Sequence, residues 1–149
     1  MGEIVYVALG SNLGDRHAHL ALARVRLDAL PGTRVLAASP VEETAPIGPA
    51  GQGPYLNQML RVDTTLTPDS LLDACLAIEA EAGRDRAATP RWGARTLDLD
   101  LVLFGTRQVD APHLRVPHPE LPRRDFWQRE LAALGVDWAR EARRAGGAA

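Results

Sequence analysis

Residues 91–104, Arg91 to Phe104, read RWGARTLDLDLVLF, and the period of the last eight decides what this chain is built on. From Leu97 onward Leu97, Leu99, Leu101 and Leu103 take one parity, while Asp98, Asp100, Val102 and Phe104 take the other. Strand side chains alternate between faces, so the pattern predicts a strand with four leucines toward a core and two aspartates side by side on the opposite face. Two strand residues advance about 7 Å, so the carboxylates repel unless a cation joins them. An Asp-x-Asp pair is most often the wet face of a half-exposed strand. Here the acids are poor strand formers at the polar end of a face that Val102 and Phe104 make apolar, which favours a compensating cation. Hard oxygen ligands suit magnesium, which keeps several waters and shares its other positions with phosphates. Just upstream, Arg84, Arg86, Arg91 and Arg95 put four cations in twelve residues against one acid, Asp85. Carboxylates for metal beside guanidinium forks for non-bridging oxygens are the equipment of polyphosphate chemistry.

The 149 residues suffice for one core and are too few for two ordinary domains, so we expect residues 1–149 to form a single domain. A formal charge of −2 gives no global basic field for a nucleic-acid backbone. All 17 basic residues are arginine, which excludes a Walker A loop, because that motif needs a lysine. A phosphate site must therefore use arginine, metal and backbone. Cys75 is the only cysteine and falls in an apolar helical pattern, which reads as a buried thiol rather than a nucleophile. The first residues lack a basic region followed by a long apolar run, and no stretch is long enough to span a membrane, so the expected location is cytoplasmic.

Outward from the Asp-x-Asp strand, Ile4 to Leu9 reads as a buried strand ending in a Gly10-Ser11-Asn12 turn, with Asn12 available to line a pocket. Asp15 to Leu30 carries helical spacing that Pro31-Gly32 stops. Thr33 to Thr44 reads as one strand. Residues 45–54 hold three prolines and three glycines, which makes them a loop and a possible pocket wall. In the strand from Tyr55 to Val62, Tyr55 and Asn57 share a face and offer a ring and an amide to a flat heterocycle. Thr67-Pro68-Asp69 starts a helix that Gly83 ends, with Leu71, Cys75, Ile78 and Ala82 as its core stripe and Glu79 at its edge. Residues 84–93 read as a loop that an anion would order. Residues 114–119 read as a short extended piece, and Pro122 to Leu134 as a last helix whose Arg123 and Arg124 run against the macrodipole. Residues 139–149 are expected to fray. The order predicts an α+β ferredoxin-like βαββαβ sandwich with an added C-terminal strand and helix, its helices on one face and Asp98, Asp100, Tyr55 and Asn57 on the other.

Four ordered blocks carry a family resemblance: VYVALGSNLGDR (5–16), ETAPIGPAGQGPYLNQML (43–60), RWGARTLDLDLVLFG (91–105) and VPHPELPRRDF (116–126). Together they resemble the signature of 6-hydroxymethyl-7,8-dihydropterin pyrophosphokinases of folate biosynthesis, over residues 4 to about 134. The resemblance implies transfer of the β,γ-pyrophosphoryl group of ATP to the pterin hydroxymethyl oxygen, release of AMP, two magnesium ions and a ferredoxin-like fold. By this resemblance Asp98 and Asp100 are metal ligands and act in catalysis with Arg84, Arg86 and Arg95. Arg84, Arg86, Arg95 and Trp92 match a loop that closes over ATP. His118 and Arg124 match residues on the triphosphate, and Glu79 and Leu101 match positions at the nucleotide. Thr44, Tyr55, Asn57 and Phe126 match the pterin pocket, with Tyr55 and Phe126 on opposite faces of the ring and Asn12, Ala45, Pro46 and Ile47 around it.

The chain departs from the family pattern at Ala87, where some members carry lysine, and in a loop one residue longer around Pro90. It also departs at Pro119 and at Glu130, where a proline is usual. The expected partners are ATP and the pterin, with no nucleic acid, no membrane and a monomeric protein. A nucleic-acid-binding module of the same topology would need an aromatic cluster, whereas the chain has two Phe and two Tyr. A metal-dependent nucleotide hydrolase shares the carboxylates but has no use for the Tyr55-Asn57 pair.

Overall fold

The computed structural model describes residues 2–45, 53–83 and 96–146. The elements are β1 (Glu3–Ser11), α1 (Arg16–Asp28), β2 (Thr33–Ala38), β3 (Glu42–Thr44), β4 (Tyr55–Thr64), α2 (Pro68–Glu81), β5 (Asp98–Phe104), β6 (Val109–Ala111), β7 (Leu114–Val116), a 3-10 turn (Leu121–Arg123), α3 (Asp125–Ala133) and α4 (Trp138–Ala145). The main sheet has the order β2-β4-β1-β5, with β3 also on β4 and every pairing antiparallel. This is the α+β ferredoxin-like arrangement, with β2 and β3 acting as one interrupted strand.

Local chemistry explains where the elements stop. Asp15 caps α1 by accepting from the Ala18 N–H, and Thr67 caps α2 by accepting from the Ser70 N–H. The expected single strand 33–44 is two strands. Between them Ser39 takes over the ladder, donating its N–H to Met59 O at 2.9 Å and accepting the Met59 N–H on Oγ at 2.8 Å. Pro40 then has no N–H to continue it.

Apolar residues of both sheet faces are buried. On one face Val5, Val7, Leu9, Leu60, Val62, Leu97, Leu99 and Leu101 pack with Leu20 and Leu27 of α1 and Leu71, Cys75 and Ile78 of α2. Full burial of each large aliphatic side chain contributes about 1.5–3 kcal/mol. Cys75 is 1% exposed, and burial, followed by the charges of Glu79 and Asp100, pushes its thiol up to about 12. On the other face Ala8, Met59, Val102 and Leu103 pack with Leu121 and with Trp127 and Leu131 of α3. The helices are therefore not all on one face: α3 covers part of the second.

The leucine parity also changes. β5 pairs Leu101 with Val7 but Leu103 with Tyr6, so Val102 is an extra residue in the ladder. Such a bulge inverts the alternation beyond it. Leu103 accordingly joins the α3 face and Phe104 the α1/α2 face, the reverse of the expected assignment.

The C-terminal third holds more structure than expected. Residues 109–116 form a two-stranded hairpin rather than one extended piece. The last predicted helix begins as a 3-10 turn, so Arg123 lies before α3 and Arg124 is its N-cap, without a side-chain capping bond. Residues expected to fray form α4, capped by Asp137 on the Arg140 N–H and buried at Ala145. Among the described residues no helix is long and apolar enough to cross a membrane.

Candidate active site

The uncovered part of the second sheet face is set by register. Gly10 of β1 lies opposite Asn57 of β4 on one side and Asp98 of β5 on the other, and Asn57 lies opposite Glu42 of β3. One rung of the sheet thus reads Asp98, Gly10, Asn57, Glu42. Tyr55 and Thr44 pair on the next rung on one side, and Asp100, Ala8 and Met59 form the next toward α3. The carboxylates and the ring-and-amide pair therefore face the same way, separated by a glycine. A Cβ at Gly10 would lie 3.4 Å from both Asn57 Oδ1 and Tyr55 Cδ1, so glycine keeps the floor flat. Gly10 lies within β1 rather than in the expected turn, and its signal is a glycine continuing an apolar strand run.

On the ring-and-amide side Asn57 is 5% exposed and donates Nδ2–H to Thr44 Oγ1. Its Oδ1 is the atom nearest a Gly10 Cβ, so the amide presents an acceptor over the floor. Tyr55 and Thr44 are half-buried, and Ala45 is exposed at the end of β3. Asn12 is buried and donates to Gly53 O at 3.3 Å, while Arg16 donates to Pro54 O at 3.0 Å, which ties the start of α1 to the chain entering β4. Phe126, in the first turn of α3, is half-buried with its ring centroid 6.2 Å from that of Trp127.

On the carboxylate side Asp100 Oδ1 is 3.7 Å from His118 Nε2, and its Oδ2 is 3.9 Å from an Arg124 NH1. Side-chain exposures of 28%, 22% and 19% place all three at the wall rather than in open solvent. His118 Nδ1 accepts the Glu120 N–H at 3.0 Å, which puts the proton of the neutral ring on Nε2, toward Asp100. Trp127 backs both groups: the Arg124 guanidinium lies over its ring at 4.4 Å, and the His118 ring meets it edge-on at 4.9 Å. As the α3 N-cap Arg124 has only donors and cannot accept a backbone N–H, so its guanidinium is free to lie over the Trp127 ring. Sequence reasoning passed over Trp127, although its place three residues after Arg124 on a helix was visible.

Glu79 is buried, 2% exposed, rather than at the helix edge, and its Oε2 accepts the Leu99 N–H at 2.8 Å, fixing the start of β5 to α2. The Leu101 side chain lies in the α1/α2 core, so only its backbone is available to a ligand. Ser11, another unpredicted contributor, is fully buried and donates to the Thr96 carbonyl at the entry to β5. Pro46, Ile47, Arg84, Arg86, Trp92 and Arg95 lie outside the described residues.

Among the described residues no three His, Cys, Asp or Glu side chains are grouped as a complete metal cage. Asp98 and Asp100 alone fit magnesium, which takes one or two protein carboxylates and fills its shell with water and phosphate oxygens.

A family profile described as 7,8-dihydro-6-hydroxymethylpterin-pyrophosphokinase matches residues 6–135. The chain is 47% identical over 137 residues to a 2-amino-4-hydroxy-6-hydroxymethyldihydropteridine pyrophosphokinase of Pseudomonas aeruginosa, covering 92% of this chain and 83% of the relative. A protein of the same name from Bacillus subtilis is 39% identical over 142 residues, covering 95% and 84%. One from Methylorubrum extorquens is 42% identical over 132 residues, covering 89% and 82%.

Proposed function

Because the chain belongs to the 7,8-dihydro-6-hydroxymethylpterin-pyrophosphokinase family, we propose that it transfers pyrophosphate from ATP to 6-hydroxymethyl-7,8-dihydropterin in folate synthesis. The observation that supports this reading is the rung Asp98, Gly10, Asn57, which puts the carboxylate strand and the Tyr55-Asn57 ring and amide on one sheet face on either side of a glycine. The pterin lies over Gly10 between Tyr55 and Phe126, and Asn57 Oδ1 accepts an N–H from its edge. Thr44 holds that amide in orientation, and Asn12, Ala45, Pro46 and Ile47 complete the wall.

Asp98 and Asp100 hold two magnesium ions, whose chemistry there is neutralisation of triphosphate charge. His118 Nε2–H and Arg124 donate to triphosphate oxygens, with Trp127 keeping both from turning away. Arg84, Arg86, Arg95 and Trp92 close over the nucleotide, and Glu79 and the Leu101 backbone shape its side of the site. The pterin hydroxymethyl oxygen attacks the β-phosphorus; an oxygen–phosphorus bond forms there, the bond from that phosphorus to the oxygen of the α-phosphate breaks, and the hydroxyl proton is released to water. AMP leaves, and the β- and γ-phosphates remain on the pterin. In such transfers positioning and electrostatic stabilisation account for most of the rate.

The test is product identification from magnesium, ATP and enzyme, with and without the pterin alcohol. AMP and pterin diphosphate in equal amounts, with slow nucleotide turnover when the alcohol is omitted, are the expected result. Nucleotide cleavage at the same rate without the alcohol would make the protein a hydrolase.

A further inference from the structure

Glu130 is an anomaly of the α3 face. It lies beside Leu131 and one turn from Trp127, on the side that packs against the sheet, and is 3% exposed. Neither carboxyl oxygen has a hydrogen-bond partner. An ionised carboxylate buried this way costs several kcal/mol, so its protonation state is the first question. The neighbour that bears on it is another acid, Glu42 of β3, and burial together with Glu42 pushes Glu130 up to about 9, against the pull of Arg129. Two carboxylates cannot hydrogen-bond to each other, but with one proton between them the protonated oxygen donates to the other.

None of the other charged groups around α3 hydrogen-bonds to Glu130. On α3 itself Arg129 lies 3.5 Å from Glu42 and 3.2 Å from Asp125. From β4, Arg61 donates to the Tyr6 hydroxyl of β1 at 3.0 Å and to Leu134 O at the end of α3. From β5 and the chain before α3, Asp100, His118 and Arg124 form the cluster at the other end of the helix. On the α4 side Asp137 caps α4, Glu141 pairs with Arg144 at 3.2 Å, and Trp138 joins the apolar cluster. The bond available to Glu130 is thus the one to Glu42.

Its position links it to the pocket. Phe126 is one helical turn from Glu130 on the same helix face, and Thr44 is two residues from Glu42 on the same strand face. The two spacings are about 6 Å and about 7 Å, so Phe126 and Thr44 lie one step beyond the acid pair along the two elements that Arg129 joins by its 3.5 Å approach to Glu42. We propose that Glu130 and Glu42 share one proton, and that this shared proton seats α3 on β3 and sets the gap between Phe126 and the floor in which the pterin ring is held. Glu130 is on this account a positioning residue; the second half of the inference rests on the pterin reading of the pocket, while the first does not. Loss of the proton leaves two facing charges, which part α3 from β3.

Two measurements test it. Infrared difference spectra between wild type and Glu130→Gln at neutral pH should show the carbonyl stretch of one protonated carboxyl that the variant lacks; no such band overturns the shared proton. KM values for the pterin alcohol and for ATP are then compared between about pH 7 and about pH 10. In wild type the pterin KM should rise about tenfold relative to that of Glu130→Gln, whose amide donates to Glu42 at every pH, while the ATP KM moves in parallel in both proteins. Substrate ionisation is common to the two and cancels in the ratio. Equal pterin profiles, or the same divergence in the ATP KM, would overturn the positioning role. Glu42→Gln, which also removes one charge of the pair, should flatten the profile in the same way and guards against a fault particular to the α3 variant. Failure of the pterin reading is distinguishable, since neither protein would then use the alcohol at any pH while the infrared band still decides the proton.

Discussion

At the scale of single residues, the chemistry of the site turns on two half-exposed carboxylates of one strand, Asp98 and Asp100. Asp98 and Asp100 announce themselves because acids two apart on a strand contradict strand propensity, and the structure keeps both half-exposed on one face. Asp98→Asn and Asp100→Asn should each lower turnover by several powers of ten with an unchanged circular dichroism spectrum; near wild-type rates would remove the carboxylates from the chemistry. Gly10 and Trp127 escaped notice because their roles depend on what lies across a rung or over a ring, which spacing along the chain does not encode. Gly10→Ala puts a methyl group between Tyr55 and Asn57, at 3.4 Å from each, and should weaken pterin binding more than ATP binding in calorimetry. Phe126→Ala should cost the pterin about 1–2 kcal/mol and leave ATP nearly unaffected, whereas equal losses would make Phe126 a core residue only.

At the scale of elements, periodicity located α1, α2 and β5 within a few residues, because each has a one-sided apolar pattern and a cap or glycine at its end, while a continuous apolar run located β1 and alternation located β4. It failed where the ladder has an extra residue. Nothing local in Leu101-Val102-Leu103 marks the bulge; it exists because Phe104 fits the α1/α2 core and Leu103 the α3 side, a choice made by partners distant in sequence. Deleting Val102 would remove the bulge and leave Leu103 on the α3 face and Phe104 on the α1/α2 face, because Leu101, Leu103 and Phe104 then alternate simply; the protein should keep a cooperative thermal transition and lose only the packing of Val102 against α3, about 1.5–3 kcal/mol. For α3 the buried acid makes the expectation pH-dependent. Glu130 ionises near 4.5 when the chain is unfolded and near 9 when folded, so the folded state holds the extra proton between those values. Stability from this group is therefore greatest at the acid end of that window and declines as pH rises through it. Glu130→Gln has no such slope, and its stability advantage over wild type in urea should grow by up to about 1.4 kcal/mol per pH unit across the window; a gap that stays constant with pH would contradict the assignment.

At the scale of the whole molecule, β1–β5 with α1 and α2 supply the sheet floor, and the segment after β5 supplies its wall. The wall was the least legible part: α4 has eight residues, with Trp138 the one large apolar side chain among them, and is held by Asp137 and by Trp138 and Ala145 against the rest, contacts that composition does not reveal. Ending the chain after Val136 should lower the unfolding free energy by about 1–3 kcal/mol, through loss of that apolar contact, while turnover with both substrates stays near wild type. The buried Cys75 has a use at this scale. It lies between α2 and the sheet, and its raised pKa keeps it as the neutral thiol, so a thiol-reactive dye reaches it only when that layer opens. The chain therefore carries one internal clock for opening of its α1/α2 core. Saturating ATP and pterin should slow that clock if both bind the closed fold, and the dependence of the labelling rate on urea should distinguish partial from complete opening, with no added probe.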